Sequence, residues 1–134
     1  MARTRTFLDA NVLIHAFRGT GQLTRDAQDV IDDDTRDFVV SDILKLELIP
    51  KSHFNRQCAE EQFYKDYFSA AVTVIQTTPE LVQDAEAEAK SNGLSAADAL
   101  HITAEGRVDE FITTEKSTKP LFLVQGMVIQ SLLP

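Results

Sequence analysis

Four carboxylates stand where their neighbours make a charged oxygen worth explaining. Asp9 follows directly on the apolar run Thr6-Phe7-Leu8. Glu47 has Ile43 and Leu44 as its i−4 and i−3 neighbours, so on a helix it lies on the apolar face, turned toward the core. An ionised carboxylate there is costly unless it is paired or bound to a metal. Asp98 stands in Leu94-Ser-Ala-Ala-Asp-Ala-Leu-His101 and shares a helix face with Ile102. Glu115 follows Phe111-Ile-Thr-Thr114, with the hydroxyls of Thr113 and Thr114 beside it. Each acid also has a plainer reading. Asp9 fits a helix N-cap, Glu47 an ion pair with a Lys or Arg, Asp98 a capping box opened by Ser95, and Glu115 the start of a surface turn with Lys116 and Ser117. If the four meet in one crevice they need cations. Like charges ~4 Å apart repel by ~4 kcal/mol at an effective dielectric of ~20. Mg²⁺ or Mn²⁺, hard ions that take oxygen ligands, would meet that need, and such a centre activates water and stabilises charge on a phosphate oxygen.

Whether they meet depends on the elements that carry them. Short strand-like runs alternate with helical patterns. Strands are expected at Thr6–Leu8, Phe38–Val40, Val72–Gln76, Phe111–Thr113 and Met127–Leu132, the last with an apolar lead-in at Leu121–Val124. Helices are expected at Asn11–Phe17, at Thr24–Ile31, from Asp42 to about Ile49 after a Ser41 cap, and at Phe54–Ala70 with Phe63, Tyr64, Tyr67 and Phe68 on one face. Thr78-Pro79 opens a further helix that stops at Ser91-Asn92-Gly93, and Ser95 opens one through Glu105. This alternation argues for an α/β domain with a mainly parallel sheet of about five strands covered on both faces. An all-helical bundle leaves Phe38–Val40 and Val72–Gln76 unexplained. In such sheets function collects at the carboxyl ends of the strands, which is where Asp9 and Glu115 fall.

The remaining composition narrows the classes. A chain of 134 residues with 43% hydrophobic and 25% charged residues reads as one globular domain, 1–134, and excludes disorder. Its net charge of −8 disfavours a domain that holds nucleic acid by bulk electrostatics. It permits clustered metal-binding carboxylates or a basic protein partner. Lys45, Lys51, His53 and Arg56 gather around Glu47 and could meet phosphates near a metal, or serve as ordinary surface charge. His15 and His101 lie in apolar helical segments and read as core or half-buried residues, and Asp32-Asp33-Asp34 as a solvated helix end. A single cysteine, Cys58, excludes an internal disulfide and a thiolate zinc site, and reads as a half-buried small hydrophobe. No apolar run approaches the ~20 residues of a membrane span, and the basic opening Met-Ala-Arg-Thr-Arg-Thr carries no apolar stretch, so a cytoplasmic protein is expected. A response-regulator receiver would need an acidic pair after the first strand and a Lys after the last. A haloacid-dehalogenase-type phosphatase would need Asp-x-Asp where Asp9-Ala-Asn11 stands.

The ordered set of Phe7-Leu-Asp-Ala-Asn-Val-Leu-Ile14, Glu47 in the helix opened by Ser41, Leu94-Ser-Ala-Ala-Asp-Ala-Leu-His101 and Phe111-Ile-Thr-Thr-Glu115 resembles the PIN-domain family of metal-dependent ribonucleases. The resemblance spans Phe7 to Glu115. It implies a three-layer α/β/α fold in which Asp9, Glu47 and Asp98, with Glu115 as a fourth acid, bind Mg²⁺ or Mn²⁺ and direct a metal-activated water at RNA phosphodiesters. Asn11 would hold Asp9 in place by hydrogen bonding, and Thr113 and Thr114 would support the site. Glu115 departs from the Asp more usual at that position, which bears on a second metal more than on the first. Small stand-alone PIN proteins resemble the toxin of VapBC-type toxin–antitoxin pairs. That implies an antitoxin partner, here a basic one, and a homodimer. The competing expectation is a PIN-like binding module that has lost productive metal binding.

Overall fold

Phe7 and Leu8, Val39 and Val40, and Phe111 and Ile112 are neighbours in sequence, and all six side chains are completely buried. Successive residues of a strand point to opposite faces, so their strands must be covered on both sides. The computed structural model describes residues 3–104, 108–124 and 127–133 and places these pairs in β1 (Thr4–Leu8), β2 (Arg36–Ser41) and β4 (Glu110–Thr113). With β3 (Thr73–Ile75) and β5 (Val128–Ser131) they form one parallel sheet in the order β3-β2-β1-β4-β5. On the two edge strands exposure alternates, and Val74 and Val128 face outward.

Among the described residues six helices fill the connections: α1 (Ala10–Arg18), α2 (Gln22–Ile31), α3 (Asp42–Phe54), α4 (Cys58–Ala70), α5 (Pro79–Asn92) and α6 (Ala96–Ala104). Right-handed crossovers put α1 to α4 on one face of the sheet and α5 and α6 on the other, giving three layers. The chain leaves β1 toward β2 and β3, then returns to the other side of β1 as β4. Strand order therefore reverses between β1 and β4, and a crevice opens beyond their carboxyl ends.

Local chemistry explains most element ends. Ser41 caps α3 by accepting a hydrogen bond from the Leu44 amide at 3.0 Å, and Thr78 caps α5 from the Leu81 amide at 3.1 Å with Pro79 behind it. Gly93 ends α5 at φ 67°, a left-handed conformation that suits a residue without Cβ. Two helix ends differ from expectation. α3 runs past Pro50 to Phe54 rather than stopping near Ile49. Pro50 and Leu46, whose carbonyl it frees, are both exposed, so water can satisfy that carbonyl. The aromatic helix expected from Phe54 begins instead at Cys58, because Asn55 ends α3 and Arg56 turns the chain at φ 56°. Cys58 is exposed at that new start, not half-buried. Val128–Ser131 and the 3₁₀ turn Pro120–Leu123 fall where the last strand and its lead-in are expected, and Glu105 lies outside the described residues.

Candidate active site

Asp9 is the first residue past β1, at the point where strand order reverses. Its amide donates to the Ile112 carbonyl of β4 at 3.0 Å, which ties it to the neighbouring strand. One carboxylate oxygen, Oδ1, accepts from the Ala10 amide at 2.7 Å and caps α1. The other, Oδ2, accepts from the Thr113 hydroxyl at 3.0 Å. Asp9 is only 8% exposed. Burial raises its pKa above the ordinary carboxylate value; His101 and the two hydrogen bonds oppose the rise, and the charge of Glu47 adds to it. The cap and the crevice carboxylate are therefore one residue in two roles.

Glu47 comes to this edge from α3. Its carboxylate is 34% exposed, at the rim of the crevice rather than in the core, and its partner is not a Lys or Arg. His101 of α6, 2% exposed, donates through Nε2 to Glu47 Oε1 at 2.6 Å. The imidazole lies tilted on Phe7 of β1, ring centroids 5.4 Å apart, and its Nδ1 is buried without a hydrogen-bond partner among the described residues. Asp9 with Thr113 and Glu47 with His101 are thus two hydrogen-bonded pairs, brought by the end of β1, α3, α6 and β4 close enough for the charges of Glu47 and His101 to act on Asp9.

The other expected residues stand as follows. Asp98 is half-buried in the first turn of α6, and its amide donates to Ser95 Oγ at 3.3 Å, one arm of the capping box. It lies three residues before His101, hence on the same helix face. The Glu115 amide donates to Thr113 Oγ1 at 3.0 Å and its carbonyl accepts from Ser131 Oγ at 2.6 Å. Its carboxylate makes no hydrogen bond among the described residues. Asn11 is exposed and makes no bond to Asp9, whose oxygens are taken by Ala10 and Thr113 instead. Thr114 is half-buried beside Thr113. Lys45, Lys51, His53 and Arg56 are all exposed on α3 and the turn after it, with His53 Nδ1 3.1 Å from Glu61. Lys45 also lines an apolar hollow of about 500 Å³ with Leu46, Ile49 and Pro50.

Among the described residues no group of three or more His, Cys, Asp or Glu side chains stands together as a metal site. The donor chemistry nevertheless fits a hard divalent cation. A buried carboxylate and a second carboxylate close enough to raise its pKa are what such an ion would relieve. Asp9 and Glu47 are the residues that would hold it. The sequence reads His101 as a core or half-buried residue, which its burial bears out, but not as the partner of Glu47. The signal was there in its i+3 spacing from Asp98 and in a Glu47 that needed a partner.

Residues 6–113 match the PIN domain as a family. The chain belongs to the PIN domain family. The matched stretch runs from β1 to the end of β4, so it takes in Asp9, Glu47, Asp98 and Thr113, and Glu115 lies just beyond it. Solved structures share this PIN fold at low identity. A toxin–antitoxin complex from Klebsiella pneumoniae is similar with TM-score 0.71 and 22% identity, over 92% of this chain and 95% of that one. VapBC2 from Rickettsia felis, bound to a DNA fragment from its promoter, is similar with TM-score 0.68 and 10% identity, over 95% of this chain and 98% of that one. No curated protein matches the sequence.

Proposed function

We propose that this PIN domain is a Mg²⁺- or Mn²⁺-dependent endoribonuclease and the toxin half of a toxin–antitoxin pair. The observation that carries the proposal is Asp9, a buried carboxylate at the strand-order reversal whose charge is opposed by burial and by Glu47. When bound, a divalent cation supplies an activated water and a counter-charge for the phosphate oxygen. The chain's own part is to place ligands. Asp9 is fixed by Ala10 and Thr113, and Glu47 is held by His101. Asp98 reaches the same crevice from the helix face that it shares with His101, and Glu115 stands at the end of β4 as a fourth acid. Asn11 and Thr114 flank the site. Lys45, Lys51, His53 and Arg56 lie on one side of it, where RNA phosphates could be held.

A net charge of −8 and the clustered acids suit a basic antitoxin segment, in which an Arg would pair with two carboxylates and compete with the metal. The two structural neighbours, one a toxin–antitoxin complex and the other VapBC2 on promoter DNA, support that partner. A homodimer working in the cytoplasm completes the proposal. The second reading, a PIN-like module without productive metal, is favoured by one observation: no three-ligand metal site stands among the described residues.

RNA cleavage in Mn²⁺ decides between the two. Asp9→Asn and Asp98→Asn should each abolish cleavage, since each loses a charged oxygen without a change of shape. Asp98→Ser separates ligand from cap: retention of full cleavage would make Asp98 a cap alone. A wild-type protein that cleaves no RNA and binds no Mn²⁺ would establish the module reading.

A further inference from the structure

His101 is placed at a cost that its own helix does not explain. Ala99 and Ile102 supply the apolar face of α6, and a Leu at position 101 would extend that face. Instead a buried imidazole leaves Nδ1 without a partner among the described residues, which native interiors rarely tolerate without reason. The one hydrogen bond that the ring makes is to Glu47 Oε1 at 2.6 Å. Glu47 in turn has no other hydrogen-bond or ion-pair partner among the described residues. Its side chain is a third exposed, and its charge and that of Asp9 repel. Among the described residues His101 alone bonds Glu47 at the crevice.

We propose that His101 is the positioning residue that holds Glu47 beside Asp9, so that two carboxylates converge before a divalent cation binds. This rests on the metal-dependent reading above. The ring engages Oε1 and leaves Oε2 without a donor, so the bond orients the carboxylate and still leaves it an oxygen to offer. Partners of this kind behind a metal ligand typically change metal affinity 10–100-fold when removed.

The test is Mn²⁺ binding by calorimetry on the full chain, with metal-free thermal melts of each variant. His101→Gln puts an amide N–H close to where Nε2 stood and restores the donor. His101→Leu fills the ring's space without a donor. Loss of about 10–100-fold in Mn²⁺ affinity is expected for His101→Leu, with His101→Gln within about threefold of wild type. The Leu variant should melt in EDTA no lower than wild type, so that the loss is not one of folding. Glu47→Gln and the double variant Glu47→Gln/His101→Leu should bind alike, since His101 acts through Glu47. Should the Leu variant fail to fold, His101→Asn, polar but too short to reach Glu47, carries the same expectation. Wild-type affinity in the donor-less variant, or a double variant weaker than Glu47→Gln by the full His101 factor, would overturn the proposal. A wild-type chain that binds no Mn²⁺ would overturn both this and the metal-dependent reading, whereas an unchanged His101→Leu overturns the positioning alone.

Discussion

At the scale of single residues, the site depends on side chains that do two things at once. Asp9 caps α1 and presents a charge to the crevice; Thr113 steadies Asp9 with its hydrogen and takes the Glu115 amide with its oxygen. Thr113→Val keeps the shape and removes both bonds. It should cost about 1–3 kcal/mol in chemical denaturation, because the Glu115 amide loses its acceptor. The hydroxyl lowers the pKa of Asp9, so its loss should move the Asp9 titration, followed by carboxyl NMR, further up. Asp9 and Glu47, which the fold brings to one edge, drew notice in the sequence because one ends an apolar run and the other sits among apolar helix neighbours. The partner of Glu47 did not. Helical periodicity turned Glu47 inward and demanded a counter-group, but a histidine some fifty residues away in a different helix is joined to it only by the fold. Asn11 shows the opposite error. A polar residue two past Asp9 looked like its support, yet the helix turns it to solvent.

At the scale of elements, the crevice is as firm as the helices that frame it. α1 is held to α4 by Arg18, whose Nε and Nη2 donate to Glu60 at 2.7 and 2.8 Å while the Tyr64 hydroxyl donates to the same carboxylate at 2.8 Å. The Arg18 bonds foremost, with help from Tyr64 and against some desolvation, hold the Glu60 carboxyl below its ordinary pKa. A depressed carboxyl contributes stability above its unfolded pKa of about 4.3 and loses it as the pH falls through the folded value. Glu60→Gln should therefore destabilise by about 1.5–3 kcal/mol at neutral pH, with the gap to wild type closing below about pH 4 in urea titrations. The corner between α1 and α2 is equally particular. A Cβ on Gly19 would lie 1.8 Å from Thr24 Oγ1, which itself donates to the His15 carbonyl at 2.8 Å. Gly19→Ala should lower the melting temperature by several degrees, for about 1–3 kcal/mol of overpacking. Element type was legible almost throughout, since short β-branched runs and capped amphipathic stretches speak locally. The two misplaced boundaries, at Pro50 and at Asn55–Gln57, turn on exposure and on a left-handed Arg56, which no local pattern encodes.

At the scale of the whole molecule, one parallel sheet that reverses its strand order beside β1 sets where chemistry can happen, and Asp9 and Glu47 bring negative charge there. The central claim is that Asp9 belongs to a cation site and is more than a helix cap. Its buried carboxyl has a raised pKa, so it favours the fold below its unfolded pKa and loses that contribution as the pH rises through the folded value. At neutral pH, without metal, ionised Asp9 is then a burden that Asn, an equally good cap, removes. The direct measurement is a set of thermal melts of wild type and Asp9→Asn, each in EDTA and in millimolar Mg²⁺. In EDTA the variant should melt about 3 °C higher, for roughly 1 kcal/mol, and Mg²⁺ should raise the wild type well but the variant little. A variant that melts below wild type in EDTA, with equal Mg²⁺ shifts in both, would contradict the cation site and leave Asp9 a helix cap.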